Sequence, residues 1–223
     1  MNARPEITTT SATRRPRLWD ISQRLHSRLP VWPGDTAFEQ QQTAQIGGDC
    51  VVNINRFAMS TQAGTHAEAP LHFQRDGRSI DALPLDRFVG RCVVIQVANA
   101  DRFVQPDDVL PHLPPGATRV LLRTLGDFTW DRWPEGFPAI HADTIHALAA
   151  RGVELIGTDA PSLDPQTSKE LHAHHAVGEH GLVILEGLVL KDVAAGPYEL
   201  IALPLPIEGV EAAPVRAILR ELA

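Results

Sequence analysis

The sequence predicts a single α/β domain with a mixed β-sheet core and flanking helices. Three observations predict it. Short apolar runs bounded by glycine or polar residues outnumber the helical stretches. Two helix-then-strand units, 141–159 and 168–190, stand late in the chain, which gives a mixed sheet rather than a regular doubly wound one. The 223 residues, 43% of them apolar, suffice for one sizeable core.

Residues 1–16, "MNARPEITTTSATRRP", are polar and rich in Thr and Arg, without the apolar segment of a secretory signal. This composition reads as a disordered extension ahead of one domain spanning 17–223. "LWDIS" (18–22) is a short strand, and "PVWPGD" (30–35) a turn-rich loop with two prolines and a Gly-Asp pair. "VVNINRFAMST" (51–61) alternates in part, a strand signal; "CVVIQV" (92–97) and "RVLLRT" (119–124) are buried-strand runs. "HADTIHALAARG" (141–152) has an apolar stripe at Ile145, Leu148 and Ala149, with Asp143 as N-cap and Gly152 as stop, so a helix is expected. "VELIGTD" (153–159) follows as a strand, and 168–181 as a second helix ending at Gly181. "LVILEGLVL" (182–190) and "YELIALPL" (198–205) are strands, and "PVRAILREL" (214–222) is expected to close the chain as a helix.

Lys+Arg number 20 against Asp+Glu 27, a formal net charge of -7, which argues against a nucleic-acid surface. No run of 18 apolar residues is present, so no membrane span is expected. Cys50 and Cys92 are the two cysteines, with no C-x-x-C, and a reducing cytoplasm is the expected location.

The stretch "GTHAEAPLHF" (64–73) places His66, Glu68 and His72 close together. Pro70 prevents a helix from running through it. In an extended chain Gln62, Gly64, His66 and Glu68 share one face, whereas on a helix His66 and Glu68 would stand about 200° apart. Imidazole beside carboxylate suits zinc or another transition metal. His72 lies beyond Pro70, off that face, where it could serve as acid or base. Glu186 interrupts the apolar run of 182–190, and an ionised carboxylate there needs a partner or a metal. His172, His174, His175 and His180 crowd one expected helix, and periodicity alone does not choose which points inward. Trp32 stands between prolines in a loop, where an aromatic is displayed for stacking. "TLGDFTWDRWPEGF" (124–137) is an aromatic-rich loop, a lid or a partner surface; Trp130 and Trp133 read as core or rim residues. Ser162 near Asp159 has no activating neighbour in sequence, and G-x-S-x-G, H-E-x-x-H, Walker and G-x-G-x-x-G motifs are absent.

With these residues assembled, the sequence resembles the bacterial kynurenine formamidases (arylformamidases) of the metal-dependent cyclase family. "LWDIS", "PVWPGDT", "GTHAEAPLHF", "LPLDRFVG", "RVLLRT", "LIGTDAPSLDPQTSK", "AHHAVGEHGLVILEGLVL", "YELIALPL" and "PVRAILREL" carry the resemblance, in order, over nearly all of 18–222. It implies a swivelling β/β/α-type fold, a homodimer, up to two zinc ions per chain (manganese or another divalent metal could replace them), and hydrolysis of N-formyl-L-kynurenine to L-kynurenine and formate. By position it implies His66 and Glu68 as ligands of the first zinc, Glu68 bridging. It implies His174 as a ligand of the second, Glu186 as shared by both ions, His72 as proton donor and acceptor, and Trp32 as a substrate-binding aromatic. The family pattern is H-x-G-[TA]-H-x-D-x-P-x-H. Here Gln62 takes the first histidine's place, offering zinc a neutral carbonyl oxygen, and Glu68 replaces the aspartate with a carboxylate one methylene longer. Two other functions are compatible with this pattern: a related cyclic-amide or isatin-type hydrolase, and a non-catalytic homologue that binds an aryl ligand.

Overall fold

The computed structural model describes residues 14–97 and 102–222. Its elements in chain order begin with β1 (Leu18–Asp20), β2 (Glu39–Ala44), β3 (Ile54–Ala58) and β4 (His66–Glu68). Then come β5 (Val89–Gln96), β6 (Phe103–Val104), α1 (Pro106–Val109), β7 (Arg119–Arg123), β8 (Ala139–Ile140) and α2 (Ala142–Ala149). The last are β9 (Leu155–Thr158), α3 (His172–His180), β10 (Val183–Glu186), β11 (Gly196–Ile201), β12 (Ala212–Pro214) and β13 (Ile218–Arg220). Nine strands form one curled mixed sheet in the order β1-β13-β11-β5-β7-β9-β10-β4-β12. Its centre, β5-β7-β9-β10, is parallel. β4 and then β12 add antiparallel on one side; β11, β13 and β1 add antiparallel on the other. β2–β3 form a separate ribbon, and β6–β8 a short parallel pair.

Strand side chains alternate, so each central strand feeds two cores. Val120, Leu122, Ile156 and Ile184 pack under α2 and α3 against Ile145, Leu148, Ala173 and Val177. Leu121, Leu155 and Leu185 face the opposite way and meet Tyr198, Leu200 and Leu219, where the sheet curls over itself. Burial on both faces is why these strands read as continuous apolar runs. Cys50 and Cys92 are both free, and burial pushes the Cys92 thiol up to about 12. Among the described residues no helix is long and apolar enough to cross a membrane.

Several expectations need correction. Residues 214–222 do not form a helix: β12 ends there and β13 follows, paired with both β1 and β11. Val215, Ala217 and Leu219 are buried in alternation, a period of two that the apolar i, i+3, i+4 spacing masked. Helix α2 is capped by His141, whose Nδ1 accepts the Asp143 N–H, rather than by Asp143 itself. Helix α3 starts at His172, not 168, and ends on Gly181, which takes the left-handed conformation (φ 65°) as its position implied. The strand at 182–190 stops at Glu186. Most of the expected extension at 1–16 lies outside the described residues; within them, Arg14 pairs with Glu221 at 2.7 Å.

Candidate metal centre

The strand β4 is three residues long, and its register sets the site. His66 pairs opposite Glu186 of β10, and Glu68 opposite Ile184. His66, Glu68 and Glu186 therefore project from one face of the sheet, the face that α3 covers with His174. All four side chains are buried. The expected extended face holds for His66 and Glu68 only. Residues 61–65 form a turn, so Gln62 and Gly64 are not on a strand, although both line the same cavity.

Glu186 is the last residue of β10 because Gly187 turns the chain with φ 64°. A Cβ at 187 would lie 2.6 Å from the Gly64 carbonyl oxygen, so only glycine lets the two segments touch. The Gly187 carbonyl accepts the Thr65 hydroxyl at 2.7 Å and Gln23 Nε2 at 2.8 Å. These contacts bind the turn before His66 to the turn after Glu186.

The imidazoles and carboxylates form a near-symmetric set. His66 Nε2 lies 3.5 Å from Glu68 Oε1 and 3.6 Å from Glu186 Oε2. His174 Nε2 lies 3.1 Å from Glu68 Oε2 and 3.7 Å from Glu186 Oε1. Each carboxylate gives one oxygen to each histidine. His66 Nδ1 donates to the Gly64 carbonyl at 3.0 Å, which leaves Nε2 as its lone-pair nitrogen when neutral. That buried Nε2 has no hydrogen-bond partner, yet it faces two carboxylate oxygens. A lone pair against two anions needs positive charge between them, a proton on Nε2 or a metal ion. Spacings of 3.1–3.7 Å match the edge of a tetrahedral zinc shell, about 3.3 Å for bonds near 2.0 Å. The donor set thus fits divalent metal, with Glu68 and Glu186 each able to serve two ions.

Electrostatics tell the same story. Burial opposes a charged His66, but Glu186 and Glu68 outweigh it and push the ring up to about 10. Burial opposes charge on His174 too, and Asp164 and Glu68 overcome it, raising His174 well above its usual range. Burial and the adjacent Glu68 push Glu186 up. Glu68, despite burial, is held well down by His174 and His66. Two neighbouring carboxylates split in this way because both cannot ionise freely without a cation.

His72 ends a short turn of 3-10 helix over Pro70–His72 and lies at the edge of the set, its Nε2 3.7 Å from Glu68 Oε1. Glu68, His72 and His174 could also converge on one ion. Of the four helix histidines, His174 is buried, while His172, His175 and His180 are exposed. His180 instead meets His146, and with Glu179 they form an exposed donor group that does not line the cavity.

Asp164 and Glu211 matter here and were not singled out from sequence. Asp164 accepts from His174 Nδ1 at 2.6 Å and from the Ala173 and His174 N–H groups at 3.1 Å, so it caps α3 and orients its histidine together. Glu211 accepts from Thr61 and Gln62. Trp133 packs edge-on against Trp32 with centroids 5.5 Å apart, and Trp130 also lines the cavity. Trp130 and Trp133, expected as core or rim residues of the aromatic-rich loop 124–137, stand at the cavity's rim. Ser162 lines the cavity as well, but its Oγ accepts the Asp164 N–H, while Asp159 faces Thr124 and Leu125. The cavity is about 330 Å³, with the His/Glu set at its floor and Trp32, Trp130 and Trp133 in its wall.

A curled mixed sheet that carries buried histidines and glutamates under an aromatic cavity defines a protein of the cyclase-like fold with a donor group able to hold a metal ion. A family model described as putative cyclase matches residues 19–165, and the chain belongs to that family. Kynurenine formamidase of Maricaulis maris (strain MCS10) is 53% identical over 206 residues, 92% of this chain and 99% of the relative. Kynurenine formamidase of Sphingopyxis alaskensis (strain DSM 13593 / LMG 18877 / RB2256) is 51% identical over 207 residues, 93% of this chain and 99% of the relative. Among solved structures, a potential metal-dependent hydrolase with cyclase activity superposes with TM-score 0.82 at 26% identity, covering 93% of this chain and 99% of that one. Isatin hydrolase A from Labrenzia aggregata superposes with TM-score 0.79 at 25% identity, covering 93% and 94%.

Proposed function

We propose that the protein is a metal-dependent arylformamidase that hydrolyses N-formyl-L-kynurenine to L-kynurenine and formate. The observation that carries this reading is the buried set of His66, Glu68, His174 and Glu186 opening into an aromatic-walled cavity. The likeness to two kynurenine formamidases over more than nine-tenths of the chain supports the substrate.

His66, Glu68, His174 and Glu186 would hold the ions, zinc in the first instance. A divalent ion there supplies Lewis acidity, which makes water acidic near neutral pH and polarises a carbonyl. The chain's own residues do the rest. Trp32, braced by Trp133, stacks on the aryl ring and turns the formamide toward the floor of the cavity. His66 Nδ1 and His174 Nδ1 are spent on Gly64 and Asp164, so both rings present Nε2 to the floor. His72, partly exposed at the edge, supplies a proton at Nε2 to the nitrogen that leaves. The apolar walls keep bulk water from the reacting carbon. We assign the working protein to the cytoplasm as a homodimer. Exposed Ile46, Val51 and Phe57 on the β2–β3 hairpin are apolar surface of the kind that subunits bury.

The likeness to isatin hydrolase A favours a second reading, hydrolysis of a cyclic aryl amide at the same site. One experiment separates them. The purified protein is analysed for metal, stripped by exhaustive chelation, and reloaded with zinc, manganese or cobalt. Formate release from N-formyl-L-kynurenine and ring opening of isatin are measured at each stage. The proposal expects formamidase activity that is lost with the metal and returns with it. Activity that survives in metal-free protein refutes the metal role, and turnover of isatin alone transfers the site to the second reading.

A further inference from the structure

We propose that Gln62, locked by Glu211, is a positioning residue that fixes His72 with its proton on Nε2, facing the cavity. This rests on the reading of the site as a metal-dependent hydrolase and assigns Gln62 and Glu211 a role in it.

The backbone brings the three side chains together. β12 pairs with β4, Ala212 opposite Glu68, and the Ala69 N–H donates to the Glu211 carbonyl at 2.8 Å. Glu211 therefore stands beside the 61–65 turn. Its Oε1 accepts the Thr61 hydroxyl at 2.5 Å and Gln62 Nε2 at 3.4 Å. Gln62 Nε2 is also 3.2 Å from His72 Nδ1.

Charge decides which way the amide faces. A carboxylate oxygen only accepts, so the NH2 end of Gln62 must meet Glu211. Turned over, the amide would set its carbonyl oxygen against an anion. Burial works against the Glu211 charge, but the Thr61 hydroxyl and the Gln62 amide hold its carboxyl below the usual range, which keeps it an acceptor. The NH2 group has two hydrogens, one for Glu211 and one for His72. A nitrogen that receives an N–H must offer a lone pair, so His72 Nδ1 is bare and the neutral ring carries its proton on Nε2. Nε2 is the atom that faces Glu68 at 3.7 Å across the cavity. An incoming substrate thus meets a hydrogen-bond donor there, suited to an acyl oxygen or a departing amine nitrogen.

The family pattern has an imidazole where Gln62 stands. The geometry gives that position a role of its own, because its amide nitrogen is turned to Glu211 and His72.

The test is nitrogen-15 NMR of histidine-labelled, zinc-loaded protein, with His72→Gln used to identify the His72 signals. The wild-type ring is expected to show a protonated Nε2 and a bare Nδ1. Gln62→Glu, which offers Nδ1 an acceptor, is expected to move the proton to Nδ1. It should lower kcat about tenfold or more with little change in KM, within the about 10²–10⁴-fold contributed by an acid–base group. Glu211→Gln, which frees the amide to turn over, is expected to give a mixture of the two tautomers. A wild-type His72 protonated on Nδ1 overturns the proposal. The tautomer needs no turnover. Absence of formamidase activity in wild type would therefore remove the functional reading while this measurement still decides this one.

Discussion

Asp164 Oδ2 lies 2.6 Å from His174 Nδ1, and the same carboxylate accepts the first N–H groups of the helix that carries the histidine. Helix capping and orientation of the His174 ring are one contact. Leu171, immediately before the helix, takes a left-handed backbone (φ 48°), a strained state for a non-glycine residue, and its N–H donates to the Ser168 hydroxyl at 3.1 Å. Asp164→Asn should keep the cap through its carbonyl oxygen but weaken the pull on Nδ1–H. We expect metal affinity to fall about 10- to 100-fold, the range for partners of metal-bound histidines. Competition with a fluorescent chelator measures it, alongside thermal unfolding of the metal-free protein. Unchanged affinity in a stably folded variant would reduce Asp164 to a helix cap.

His72→Ala should separate chemistry from metal. His72 is partly exposed and off the paired strands, whereas Glu68 is held by His66 and His174 without it. We expect kcat to fall about 10²–10⁴-fold with metal content at the wild-type level. If metal is lost in step with activity, His72 is a ligand of the Glu68–His174 ion instead.

Trp133→Ala should act through Trp32. The two rings meet edge-on at 5.5 Å, and Trp133 Nε1 is anchored on Gln166 at 2.9 Å. Removing Trp133 leaves Trp32 without its brace, a loss of about 0.5–1.5 kcal/mol in the pair. We expect KM for the aryl substrate to rise about two- to tenfold and kcat to change less. A fall in kcat with unchanged KM would mean that the loop over 124–137 governs the chemical step.

The sheet's parallel centre was legible because its strands are buried on both faces and read as apolar runs. Glu186 was legible for the same reason, as a charge inside such a run. The short strand β4 was legible only through Pro70 and the His-x-Glu spacing. What escaped was set by long-range pairing. β13 follows a helical spacing of apolar residues but is claimed by β1 and β11, which supply hydrogen bonds on both sides. Asp164 and Glu211 lie 10 and 149 residues from the side chains they hold, and nothing local in either stretch marks the partner. Gln62 was legible as a departure from a pattern, but of its two partners only His72 is near in sequence, and Glu211 comes from just before β12, 149 residues away.

Asp159 offers a test of stability that leaves the metal centre alone. Its carboxylate is buried and accepts the Thr124 N–H, the Thr124 hydroxyl and the Leu125 N–H, yet burial outweighs them and pushes it up to about 6. A carboxyl that holds its proton more tightly folded than unfolded favours the folded state most where it is protonated. Stability is therefore lost as the pH rises from about 4 to about 6 and stays lower above that. A shift of this size corresponds to about 3 kcal/mol at most. Asp159→Asn keeps an acceptor for Thr124 and Leu125 but cannot ionise. We expect the variant to gain on wild type as pH rises through that window, and the two to differ least near pH 4. The gain should fall short of the full amount, because the asparagine NH2 takes the place of Oδ2, which accepts Leu125 N–H at 3.2 Å. Denaturant midpoints of both metal-free proteins between pH 4 and pH 8 decide it. A wild type that instead gains on the variant with rising pH would show that the three donors, not burial, govern this carboxylate.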